Sequence, residues 1–142
     1  MATLFEILGA ALAQHKQIRV QASKMGLLVN FPVDKDRRQT VKVTAYTHRT
    51  STTPMVVVRV VSRAGFFEHH RALRQVLEFN VGKQRPSLML SDNTDPPALE
   101  VVYTEPIDLY NEWVGSHIWG LIREVGICAD RIEKQFGAAD EM

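Results

Sequence analysis

The chain has little with which to be stapled, anchored or loaded with a cofactor. One cysteine in 142 residues, Cys128, excludes an intrachain disulfide and points to a reducing compartment. No apolar run approaches the 18 residues of a membrane span. Neither charge dominates: 17 basic against 16 acidic residues gives a net charge of +1. A large nucleic-acid footprint needs a clustered basic excess, so nucleic acid is not an expected partner. Phosphate cradles of the GxGxxG and GxxxxGK[ST] types are missing, as are HExxH and paired-cysteine metal patterns. No cofactor, metal site or set of catalytic residues is therefore expected, and the chain is not read as an enzyme.

What is present is a globular composition, 45% hydrophobic and 23% charged, in a length that suits one domain over residues 1–142. Such a chain buries roughly two thirds of its unfolded surface. The Met1 to Gln14 stretch carries Ala11-Leu12-Ala13, which mimics a leader cleavage site. It lacks a basic start, and Glu6 interrupts it, so it is read as a helix of the mature protein. A cytoplasmic location follows as an expectation.

The periodicity changes in a definite order. Leu4, Phe5, Leu8, Ala11 and Leu12 form a helical stripe within about Thr3 to His15, opened by the capping-box pattern Thr3 to Glu6. Alternation then predicts four strands. Ile18, Val20 and Ala22 mark the first. A Ser23 to Gly26 turn, with Gly26 free to take positive φ, leads to the second, Leu27 to Phe31, which ends at Pro32 or lies at an edge. The charged turn Asp34 to Arg37 precedes Gln39 to Tyr46. The last, Met55 to Val61, is apolar enough for a central strand covered on both faces. Gly65-Phe66-Phe67 breaks the run. A second helix is predicted over about Phe67 to Asn80, and a hairpin joins Leu88 to Leu90 with Leu99 to Val102 across Asp92 to Pro97. A closing helix over about Asp108 to Phe136 carries Leu109, Trp113, His117, Leu121, Val125, Cys128, Ile132 and Phe136 on one apolar file, and Val114, Ile118, Ile122 and Ala129 on a second. The expected fold is α+β, an antiparallel sheet packed against helices.

The reactive side chains do not converge. Glu68-His69-His70 offers ligands, but neighbours on a helix diverge by about 100°, so a solvated helix start is the reading. His15 and His48 are scattered, and His117 is read as a core or interface histidine. Cys128 reads as an inert buried thiol. Asp130, Arg131, Glu133 and Lys134 read as a solvated, ion-paired helix face. Arg59, Arg63, Arg71, Arg74, Lys83 and Arg85 read first as dispersed solubilising charge, and as an alternative they gather near the second helix into a small patch for an anion or an acidic peptide. Trp113 and Trp119 lie six residues apart and face different ways. A tryptophan turned outward makes a hot spot for a protein partner. Trp113, Trp119, Arg71 and Arg74 are thus the candidate partner-binding residues.

Arg38-Gln39 with Val41 and Val43, and the valine-rich strand ending in Ser62, resemble a bacterial family. So do Leu73, Leu77 and Asn80, the run Ala129-Asp130-Arg131-Ile132-Glu133, and the acidic Asp140-Glu141 after Gly137. The family is the YbjN-like proteins, described as sensory transduction regulators, with a type III secretion chaperone-like fold. That fold runs helix, strands, helix, two strands and a closing helix, which matches the order above. The resemblance implies a non-catalytic protein-binding or regulatory module, homodimeric, holding an extended segment of a partner. It also implies that Arg38 pairs with a carboxylate, that Asn80 caps the second helix, and that Asp130 and Glu133 hold a basic group. Two alternatives remain open at this point: a small-ligand sensor binding an anion or metabolite near Arg59 to Arg85, and a small enzyme with a site near Glu68 to His70.

Overall fold

The computed structural model describes residues 4–15, 17–23, 26–49, 54–66, 87–91, 98–107 and 113–140. The protein is α+β. Helix α1 (Leu4–Ala13) leads into four strands, β1 (Arg19–Ala22), β2 (Gly26–Asp34), β3 (Arg37–Arg49) and β4 (Pro54–Phe66). Strands β5 (Ser87–Ser91) and β6 (Ala98–Ile107) follow, and helix α2 (Val114–Asp140) closes the described chain. The second expected helix, Phe67 to Asn80, and the Asp92 to Pro97 turn lie outside the described residues. The six strands form one antiparallel sheet in the order β1-β2-β3-β4-β6-β5. Neighbours in sequence pair as far as β4. Strand β6 then takes the seat beside β4 and leaves β5 at the edge.

Alternation sends one set of side chains toward the helices. Leu27, Val29 and Phe31 of β2, Val41 and Val43 of β3, Val58, Val60 and Ala64 of β4, and Leu99 and Val101 of β6 are all buried in one core. From α2, Ile118, Leu121, Ile122, Val125, Ala129 and Ile132 cover them. This helix lies mainly on β4, with β3, β6 and β2 flanking. From α1, Phe5, Leu8 and Leu12 are buried, but Ala11 is exposed and Gly9 is buried in its place. At about 100° per residue Gly9 lies about 40° past Phe5 on one side of the buried arc, and Ala11 about 60° past Leu8 on the other. A Cβ on Gly9 would stand 2.9 Å from the Ala22 Cβ, so the helix rests directly on β1.

Two polar residues share this core. Gln39 Nε2 donates to Ser62 Oγ at 2.9 Å and to the Arg63 carbonyl at 2.8 Å, and Ser62 Oγ donates to the Thr40 carbonyl at 2.7 Å. Both amide protons and the hydroxyl proton are used, which removes the cost of burying them.

Several expectations need correction. Gly26 does not adopt positive φ; among the described residues Gly65 alone does, at 134°. What Gly26 supplies is space, since a Cβ there would lie 2.5 Å from the Val43 carbonyl oxygen. The Ser23 to Gly26 turn is closed by Ser23 N donating to Gly26 O at 2.9 Å. Gly65 does not end its strand. The register shifts between Arg63 and Gly65, leaving Ala64 as the extra residue, and resumes with Gly65 opposite Leu99, so the glycine borders a bulge. Pro32 does not end β2, but it does lie at a locally free edge of the sheet. It pairs with Arg38 of β3, and β1 has already stopped at Arg19 opposite Asn30, so no ladder is missing its donor there. The second face of β4 is only partly covered: Val57 is buried, Val61 half-buried and Arg63 exposed.

The outer end of α2 is clasped to the β2–β3 turn. Arg37 Nε donates to Asp130 Oδ1 at 2.6 Å, and its Nη2 lies 3.6 Å from Glu133. Lys134 Nζ reaches Asp34 at 2.8 Å and Asp130 at 3.5 Å. Asp130 is thus buried at 4% exposure rather than solvated, because it faces the turn and not the open side of the helix. The hydrogen bond from Lys134 holds the Asp34 carboxyl below its ordinary 3.8, and the same bond holds Lys134 above its ordinary 10.5. Stability from Asp34 is therefore present above pH 3.8 and lost as pH falls through the depressed folded value. Stability from Lys134 is present below pH 10.5 and lost as pH rises through the raised folded value. Thermal unfolding of Asp34→Asn against the parent should show a small deficit, widest near neutrality and closing toward both extremes. Molar salt should shrink it, because both partners are exposed. A deficit that does not vary with pH would show that the ion pair contributes nothing.

Candidate functional site

A groove of about 490 Å³ opens between α2, the C-terminal end of β2 and the turn after α1. Three features of the chain build it. First, Trp119, Arg123 and Ile127 recur every fourth residue on α2, one stripe round from the core stripe, so all three line the groove. Second, Phe31 is buried on β2, and its ring meets Trp119 edge-on, with centroids 5.5 Å apart and planes at 72°. That is a favourable aromatic geometry. Third, the β2 register shifts between Pro32 and Asp34, which leaves Val33 without a partner on β3. Pro32 and Val33 both line the groove. His15, Gln17 and Ile18 complete the wall.

Two supports hold this geometry. Gly126 lies behind the aromatic pair, where a Cβ would come within 2.5 Å of Phe31 Cζ and 3.1 Å of Val41 Cγ2. Its missing side chain is what lets Phe31 seat against the helix. Arg38 pins the opposite wall, with Nη2 donating to the Gln17 carbonyl at 2.5 Å and Nε to the Asn30 side-chain oxygen. The carboxylate partner expected for Arg38 is not what it meets. Its neighbour Arg37 holds the carboxylates Asp130 and Glu133 instead.

The sequence-derived candidates are dispersed. Trp113 stands just before α2 at 67% exposure, while Trp119 is half-buried in the groove wall. Arg71, Arg74, Lys83, Arg85 and the Glu68 to His70 run lie outside the described residues. Arg59 and Arg63 share the second face of β4, about 13 Å apart along the strand at 3.3 Å per residue. His117 is not a core residue. Its side chain is half-exposed, and Nε2 lies 2.5 Å from Glu105 Oε2, because the buried arc of α2 centres on Ile118, Ile122 and Val125. Cys128 is partly rather than fully buried. Phe31, Arg123 and Ile127 were not singled out from sequence. The four-residue spacing of Trp119, Arg123 and Ile127 was the available signal, masked by the stronger core stripe beside it.

Among the described residues no three His, Cys, Asp or Glu side chains gather as metal ligands. No helix among them is long and apolar enough to cross a membrane. A scan against models of known families, a search of curated proteins and a search of solved structures each found no match.

Proposed function

We propose that the protein is a non-catalytic protein-binding or regulatory module of the YbjN-like, secretion chaperone-like kind. It works in a reducing, cytoplasmic setting as a homodimer, and the groove at Phe31 and Trp119 takes an extended segment of a partner protein. The observation that carries this reading is the groove itself. Its volume of about 490 Å³ falls within the roughly 300–1,000 Å³ range of binding pockets. It has an aromatic wall, and it runs along the part of β2 where β1 has ended. A groove beside strand backbone that has no partner strand among the described residues suits main-chain pairing for affinity and side-chain pockets for selection. Trp113, exposed at the head of α2, is the second contact proposed for the partner.

The test is a screen of short unstructured peptides of graded hydropathy against the purified protein, by calorimetry. Apolar peptides should bind better than polar ones, and Trp119→Ala should lose at least about tenfold in affinity, as a truncated aromatic anchor does. Light scattering should give twice the chain mass. Peptides bound no better than a polar control, or equally well by Trp119→Ala, would overturn the proposal.

A further inference from the structure

We infer that the groove selects a partner segment in which a carboxylate follows closely on an apolar side chain, the carboxylate seating on Arg123. This inference rests on the peptide-binding reading and specifies what is bound. Ile18, Phe31, Val33, Trp119 and Ile127 give the lining its apolar area, and no lining residue is acidic. With histidine counted neutral, Arg123 is the single formal charge on the wall. The other two arginines near the site are already engaged, Arg37 by Asp130 and Glu133, and Arg38 by Asn30 and Gln17. Arg123 is exposed and makes no ion pair with any described residue. Its helix gives it none: the positions three and four residues away are Trp119, Gly120, Gly126 and Ile127.

A lone guanidinium at the rim of an apolar groove matches one singly charged carboxylate, which it receives through two parallel N–H donors. A phosphate dianion would call for a second cation. Arg123 is exposed, so solvent screens the contact, and the apolar residues beside it are what hold a segment's carboxylate in place. Charge and apolar surface together thus specify an amphipathic segment, where either alone would specify only charge or only grease.

The probes are three acetylated, amidated hexapeptides, identical except that one position after a leucine-phenylalanine pair carries aspartate, asparagine or lysine. Binding is read by calorimetry on the parent protein, with both tryptophans in place. The aspartate peptide should bind about tenfold tighter than the asparagine peptide, a preference of one charge-assisted contact. Arg123→Gln should erase that preference, and Arg123→Glu should transfer it to the lysine peptide. Binding that ignores the variable position would overturn this inference and leave the peptide-binding reading standing. A failure of all three peptides would overturn both, as would saturable binding of free indole-3-acetate by a protein that ignores every peptide. Unchanged far-ultraviolet dichroism in the Arg123 variants separates loss of contact from loss of fold.

Discussion

Phe31→Ala should lower the free energy of unfolding by about 3–5 kcal/mol, the range for truncating a buried aromatic. Phe31 is 4% exposed and is held on two sides, edge-on to Trp119 and against the bare backbone of Gly126. Losing the ring forfeits its own burial, the aromatic pairing, worth about 0.5–1.5 kcal/mol, and the packing of Val41. Phe31→Leu keeps most of the volume and should cost clearly less. Urea unfolding followed by far-ultraviolet dichroism reads both, and an unchanged slope would assign the loss to the folded state. The emission of Trp119 should shift to the red in Phe31→Ala, because the ring that shields the indole is gone. A loss below about 1 kcal/mol, small for a buried aromatic, would mean that the Phe31 side chain is not in the core.

Two glycines on one helix should respond to the same substitution with opposite signs. Gly126→Ala gains roughly 1 kcal/mol of helix propensity, but its new methyl meets Phe31 at 2.5 Å and Val41 at 3.1 Å. Val41 is fully buried and cannot yield, so Phe31 must move toward the groove. Overpacking of this kind costs about 1–3 kcal/mol, which outweighs the propensity gain. Gly120→Ala meets nothing within 4 Å and should stabilise by up to about 1 kcal/mol. Chemical denaturation of the two single variants is sufficient to decide. Gly126→Ala should also weaken peptide binding in the groove, whereas Gly120→Ala should leave it intact. If both variants gained stability, Phe31 would not be seated against α2.

Local pattern carried a good part of this architecture. The apolar stripe Ile118, Ile122, Ala129 and the alternation of Val41, Val43, Val58 and Val60 were legible because each residue's face depends only on its neighbours' spacing. Strand length was less legible. The strand expected over Gln39 to Tyr46 runs on, and Thr47 to Arg49 pair with Pro54 to Val56, because main-chain bonding outlasts the apolar alternation. Pairing between distant segments was not legible at all. Nothing within β6 says that it sits beside β4, and nothing near Asp130 says that Arg37, 93 residues away, will reach it. The groove belongs to this last class, since it exists only where Phe31 and Val33 of β2 meet Trp119 of α2, and Gly126 is legible as its support only once Phe31 is in place.

The seating of β6 between β4 and β5 also governs how the chain is made. When synthesis has reached only β4, hairpin pairing can satisfy β1 through β4 in turn, but the far border of β4, with its Val56 to Val61 run, has no neighbour until Ala98 to Ile107 has been translated. For that interval a valine-rich strand border stands open to any other chain. Ribosome-stalled fragments ending before residue 98 are consequently the species in which misassembly of this protein would begin.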